Sequence, residues 1–443
     1  MTGEAEQFFI DAYERQRAAL PGAGIGWLSQ RRDEALRVFR TAGLPHRRLE
    51  DWRYTDLRQA LGRASLAPAP EHRGAVLLPA AEARASAAAF NAIDRHVFVF
   101  VNGRLRADLS DAALPSGVEV LPLADALGKS WVRLLVETSA ATTGATNVIA
   151  LNTALMQGGV AIHVHKGVRL EKPLHLLFLA ADDGAFHARN FIRLDEGASA
   201  SILETHVSAG ASRYFADLVT DVSLADGASL DHVKVQDEAP NAIHLATLSA
   251  HLDARSKLST FSMTLGGGVS RSQSFIRFEG EEAKAEVNGA TALRGSQHGD
   301  HFVLVDHAVP HCTSGTLFRS VLDGTSTGVF QGRVVVREGA QKSDGRQMTN
   351  ALLLSRDAAM NAKPELEIYA DDVQCAHGST IGELSAQAIF YLRSRGIDEA
   401  TARQLLISAF LDEAFESVPH EAAREALRAL AAGWFQPGSE VAS

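Results

Sequence analysis

The residues best suited to chemistry stand near the end of the chain, in Glu365–Gly382, ELEIYADDVQCAHGSTIG. This stretch holds Cys375, one of only two cysteines, and His377 two positions later. On a strand, residues two apart point to the same face, so thiol and imidazole can address one object, with Asp371 and Val373 in the same phase. Both groups suit iron, and mixed cysteine–histidine ligation of clusters is established chemistry. The plainer reading is a buried, inert cysteine beside a turn histidine.

A second group lies in HFVLVDHAVPHC: His301, Asp306, His307, His311 and Cys312. The three histidines share strand parity, although Pro310 interrupts regular pairing. Loose histidine spacing more often fills turns and hydrogen-bonds between neighbouring strands than binds metal. Trp52 and Tyr54 read as aromatic packing of a helical lid. Nucleotide-phosphate chemistry is excluded at the level of motif, since there is no GxxxxGK[ST] run. Gly266–Gly268 is followed by no helix pattern and reads as a turn rather than a dinucleotide loop. GTSTG at Gly324–Gly328 has GxSxG spacing, but strand-type residues rather than a helix follow it, so it is no nucleophile elbow, and no HExxH helix occurs.

These residues must be held by a large framework. At 443 residues the chain exceeds one ordinary core, and 46% hydrophobic with 22% charged residues is a soluble, globular composition. A net charge of −10 argues against nucleic acid as a partner. Two cysteines without a CxxC motif fit a reducing compartment. The N-terminus lacks a signal-peptide core, and no run approaches the roughly 18 apolar residues of a membrane span, so a cytoplasmic protein is expected.

Residues 4–42 carry helical apolar spacing, broken at Pro21-Gly22. Ala64–Ala89 is an Ala- and Pro-containing connection. Strand alternation begins at HVFVFVNGRL with a hairpin signal at Asn102-Gly103. Helical pieces return between residues 121 and 157, and Lys166-Gly167 is a turn between strands. A weak repeat follows: LDEGASASIL from Leu194, LADGASLDHV from Leu224, LDARSKLSTF from Leu252 and FEGEEAKAEV from Phe278, with looser echoes at Leu322 and Leu354. A strand unit of this length cannot bury its apolar face alone and must stack. Parallel β-helix, propeller and sandwich all satisfy that need; irregular spacing and absent blade signatures favour the β-helix. After Glu383 the period becomes helical. Gly396 suits a helix C-terminus, Asp398 an N-cap, Leu405, Leu406, Ala409 and Phe410 an apolar stripe, and Pro419 the start of a third helix ending near Trp434. The tail after Gln436 reads as frayed.

Three stretches resemble one family. Asn350–Gly382, NALLLSRDAAMNAKPELEIYADDVQCAHGSTIG, with Ala388–Phe415, AIFYLRSRGIDEATARQLLISAFLDEAF, is similar to the C-terminal signature of the SufB/SufD proteins of iron–sulfur cluster assembly. The wording is closer to the SufD type than to the SufB type. Leu44–Leu57, LPHRRLEDWRYTDL, resembles the same family near its N-terminus. The resemblance implies a right-handed parallel β-helix flanked by N- and C-terminal helical regions, with an N-terminal region over 1–95, a core over 96–382 and a C-terminal domain over 383–443. It further implies a non-catalytic scaffold contributing to iron acquisition. The partners would be SufB, as a heterodimer, and the ABC-type ATPase SufC; in isolation a homodimer is one alternative, the lone chain another. His377 matches the family histidine implicated with a SufB cysteine in holding a nascent cluster, and Cys375 is its supporting candidate. No tightly bound cofactor is implied in the isolated chain, only iron or a transient iron–sulfur cluster shared with SufB. The terminal helices would dock SufC, with Leu405, Phe410 and Phe415 as candidates if exposed. The remaining alternatives are a metal-free docking platform and a solenoid carbohydrate-active enzyme using Asp217 and Asp221.

Overall fold

The computed structural model describes residues 3–64, 88–142 and 146–435. The connection read over Ala64–Ala89 lies largely outside these residues, as does the tail after Gln436. From His96 to Gly382 the chain winds through two facing sheets of ten and nine strands, visited alternately from Val160 onward. Successive turns therefore stack as parallel strands, and the body is a parallel β-helix. The repeat is literal in one ladder: Leu194 pairs with Leu224, Leu224 with Leu252 and Leu252 with Phe278. The echoes at Leu322 and Leu354 do not extend it. Leu322 lies in the other sheet, opposite Leu293 and Leu353, and Leu354 follows the strand end.

The turn after this ladder explains why the repeat is weak. Gly167, Gly197, Gly227, Arg255, Glu282, His311 and Lys342 occupy corresponding positions, all with φ between 54° and 70°. Glycine takes this left-handed conformation freely and other residues at modest cost, so side-chain identity drifts while geometry persists. Backbone bonds stack the turns, as from Gly197 N–H to the Asp226 carbonyl and from His311 N–H to the Gln341 carbonyl. The next position is small and buried in each turn from the second onward: Ala198, Ala228, Ser256, Ala283, Cys312 and Ser343.

Strand alternation feeds three apolar layers. Inward residues such as Leu174, Ile202, Leu230, Leu258, Ile276 and Val305 fill the lumen between the sheets. The outer face of the nine-stranded sheet is covered by the helices Glu4–Gln16, Gly26–Ala42 and Thr146–Leu155, which pack Phe9, Leu36 and Leu151 against Phe215, Leu245 and Phe275. Trp52 is buried there beneath Arg271, whose guanidinium lies 4.0 Å from the ring centre. The outer face of the ten-stranded sheet is covered by the helices Glu399–Phe415 and Glu421–Trp434, through Ile407, Leu411, Phe415 and Leu427. Asp398 caps the first of these by accepting from Thr401 N–H at 3.0 Å. The last helix starts at Glu421 rather than Pro419, with the His420 ring as its cap acceptor.

The two ends of the solenoid differ. At the N-terminal end the ten-stranded sheet finishes in the two-residue strand Arg104–Leu105, returned antiparallel through Asn102-Gly103. The nine-stranded sheet finishes in the antiparallel strand Val118–Pro122. At the C-terminal end the last strands are full-length, Ala359–Ile368 and Gln374–Gly382, and each pairs on one side only among the described residues. Pro364 fits this placement, because an edge strand can spare an N–H.

Candidate functional site

Cys375 and His377 stand on Gln374–Gly382, the last strand of the ten-stranded sheet. Their partners in register are Gly345 and Gln347, whose parity, with Thr349 and Ala351, is the buried one on the preceding strand. The thiol and the imidazole therefore continue the inward-facing series. The line through Cys375 runs back over Gly345, Ser314, Ala285, Leu258 and Leu230. No described strand follows, so His377 is exposed although it has the phase of a lumen residue. It makes no side-chain hydrogen bond within the described residues. Cys375 is half-buried against the lumen core, and burial pushes its thiol up, so a metal must draw the proton off for it to ligate. Met348, Ile368, Tyr369 and Ile381, all large, apolar and exposed, surround this end.

The second histidine group does not converge. His301 and His307 face the lumen, as their parity predicts, but they bond different residues: His301 Nε2 lies 3.0 Å from Thr291 Oγ1, and His307 Nε2 lies 2.8 Å from Ser314 Oγ. His311 is the left-handed residue of a turn, and Asp306 is clamped outside by Arg277 and Arg337 at 2.9 and 2.8 Å. Cys312 is one of the small residues of the turn series, its thiol pushed up to about 11 by burial. Asp217 and Asp221 do not form a free carboxylate pair. Each is buried and engaged, Asp217 with His187 at 2.7 Å and Asp221 with Arg189 at 2.8 Å. Four strand positions also separate them by about 13 Å, beyond the span of glycosidase carboxylates.

Of the helix candidates, Leu405 is exposed, Phe410 is half-buried beneath Arg319, and Phe415 is buried against Phe261. Steps of five turn a helix by about 500°, so these three residues lie on different faces and cannot form one docking stripe. Leu406 and Ala409 likewise lie away from the core contact made by Ile407, Leu411 and Phe415. The exposed apolar surface instead combines Leu405 with Phe390 and Tyr391.

One polar group escaped the sequence reading altogether. Inside the lumen, Glu204 lies 2.5 Å from His206 and 3.0 Å from His232, and Lys234 lies 2.8 Å from His244. Glu238 accepts from the Tyr214 hydroxyl at 2.9 Å and lies 2.7 Å from His244. Burial raises the Glu204 carboxyl, but the two histidines outweigh it and hold it well below the usual range. The available signal was charge at inward parity in SILETH and DHVKVQDE.

Comparison with known proteins bears on most of the chain. Residues 3–176 match the SufBD protein N-terminal region, and residues 177–410 match the SufBD core domain of SUF system FeS cluster assembly. The chain belongs to the SufBD family. The iron–sulfur cluster assembly protein SufD of Escherichia coli is 31% identical over 406 residues, covering 90% of each chain. A SufBD family iron–sulfur cluster assembly protein of Synechocystis is 29% identical over 424 residues, covering 91% of this chain and 90% of the relative. A SufBD family relative from Mycobacterium tuberculosis is 30% identical over 277 residues, covering 60% of this chain and 69% of its own. This SufBD chain is thus SufD-like in sequence and carries the β-helix and flanking helices expected from the resemblance. No helix among the described residues is long and apolar enough to cross a membrane.

Proposed function

We propose that this chain is a scaffold subunit of an iron–sulfur cluster assembly complex, without chemistry of its own. A SufB-type chain meets it at the open end of the solenoid, and a SufC-type ATPase docks on the C-terminal helices. The observation that carries this reading is the asymmetry of the ends. One end is blunted by short antiparallel strands, and the other presents two full-length edges with exposed apolar residues. Such an edge is a template for another chain. His377 lies on it with lumen phase, and one imidazole with one thiol falls short of the roughly four ligands a cluster takes. A second chain supplies the remainder, with His377 as ligand and Cys375 in support; the cluster, or the iron gathered for it, is cargo. In isolation a second copy can cover the same edge.

The ATPase drives the assembly only if its ATP-bound state binds preferentially to one arrangement of the two solenoids. Both cysteines are free, which agrees with a reducing, cytoplasmic setting. The test is co-expression with a SufB-type chain and a SufC-type ATPase, followed by native mass measurement. The expected result is a complex with one copy of this chain beside one SufB-type chain. Recovery of this chain alone, or only with itself, would overturn the reading.

A further inference from the structure

At the opposite end of the solenoid, the first rung brings together Glu119, His163, His165 and Asp195. The backbone dictates the meeting. His163 and His165 are two apart and share a face. Glu119 is the antiparallel partner of His163 and Arg193 is its parallel partner, so both point the same way, and Asp195 follows two residues after Arg193. The alternate residues, Ile162 and Val164, are buried in the lumen. One ligand atom each from Glu119, His163 and His165 lies within 4.8 Å of the other two, and no other such trio of His, Cys, Asp or Glu occurs among the described residues.

The carboxylates are oriented toward the imidazoles. Lys129 Nζ lies 3.4 Å from Glu119 Oε2, while Glu119 Oε1 lies 3.5 Å from His165 Nε2. Arg193 Nε donates to Asp195 Oδ1 at 2.8 Å, while Asp195 Oδ2 lies 2.8 Å from His163 Nε2 and 3.9 Å from His165 Nδ1. Each acid thus has one oxygen held by a cation and one turned inward, and the Trp131 ring stands 5.5 Å from His163 at the side. The His163 side chain is 14% exposed and His165 43%, which leaves a path from solvent.

We infer that this cluster is a binding site for a divalent first-row transition ion. His163, His165 and Glu119 act as ligands, and Asp195, 2.8 Å from His163 Nε2, serves as the acceptor that fixes the His163 tautomer. Two imidazoles with carboxylate oxygen suit zinc, iron(II) and cobalt(II) rather than magnesium or calcium. Seven strand steps along the nine-stranded sheet separate this rung from the last one, about 34 Å, so the site is independent of His377.

The test is titration of the purified chain with cobalt(II), read by visible absorption and tryptophan quenching, with zinc(II) as competitor. The expected result is one equivalent bound at micromolar concentration and displaced by zinc. Glu119→Gln and His165→Gln, both at half-buried side chains on the rim of the cluster, should weaken binding about 10-fold or more and leave the metal-free melting temperature unchanged. His377→Ala should bind as the unmodified chain does. Equal cobalt affinity in the unmodified chain and in both Glu119→Gln and His165→Gln would overturn the inference, as would binding no tighter than millimolar. Neither result would bear on the partner-binding role of the open end.

Discussion

Cys312 and Cys375 have the same side chain and different fates, decided by the rung each occupies. Cys312 fills a buried position held elsewhere by alanine or serine, with its thiol 3.4 Å from the Gly280 carbonyl. Cys375 sits where the stacking stops. We expect Cys312→Ala to be tolerated with a loss under about 1.5 kcal/mol, whereas Cys312→Leu should overpack the turn and cost about 1–3 kcal/mol, measured by denaturant unfolding. Maleimide labelling of the native chain should modify Cys375 and spare Cys312. The shared face of Cys375 and His377 was legible from alternation alone, because a period of two survives any rung count. That His377 would be uncovered was not legible, since exposure there depends on no further rung following among the described residues rather than on any local pattern. The metal trio was hidden for the same kind of reason: Glu119 and His163 are 44 positions apart in sequence and meet only across an antiparallel pair.

At the scale of elements, the helix Glu399–Phe415 carries apolar residues on opposed faces, so apolar content alone picked out the wrong stripe. Ile407, Leu411, Ala414 and Phe415 seat it on the ten-stranded sheet, while Leu405 faces away beside a helix that exposes Phe390 and Tyr391. The two faces should respond differently. Phe415→Ala removes a ring packed 5.9 Å from Phe261 and should cost about 3–5 kcal/mol of stability. Leu405→Asp should leave the melting temperature unchanged and weaken capture of the SufC-type ATPase, read in a pull-down with purified subunits. Equal capture by Leu405→Asp and the unmodified chain would remove this surface from the account. The strand repeat was read more securely than the helix stripe, because its turn must pass through one backbone conformation in each rung. Gly197 and Gly227 betray that requirement openly, whereas Arg255, Glu282, His311 and Lys342 satisfy it without a glycine. That is why the repeat fades toward the C-terminus, and why His311 resembles a ligand in sequence while serving as a turn.

Across the whole molecule, buried imidazoles make the fold sensitive to acid. Burial lowers His175 to about 3 and His301 and His307 each to about 4, so all three remain neutral in the folded chain. In the unfolded chain they protonate near pH 6.5. As pH falls from 6.5 toward 4 the unfolded state therefore takes up more protons, and each group removes about 1.4 kcal/mol of stability per pH unit. The chain should melt at markedly lower temperature at pH 5 than at pH 7, and His301→Gln should flatten that dependence.

The blunt N-terminal end stands against the open C-terminal one, whose edge carries His377, the ligand proposed above. The most direct test of that role is the iron and acid-labile sulfide content of the co-expressed complex, isolated without oxygen, with and without His377→Ala. The variant is expected to assemble with its partners as the unmodified chain does and to carry little iron or sulfide. An assembled His377→Ala complex with undiminished iron and sulfide would contradict it.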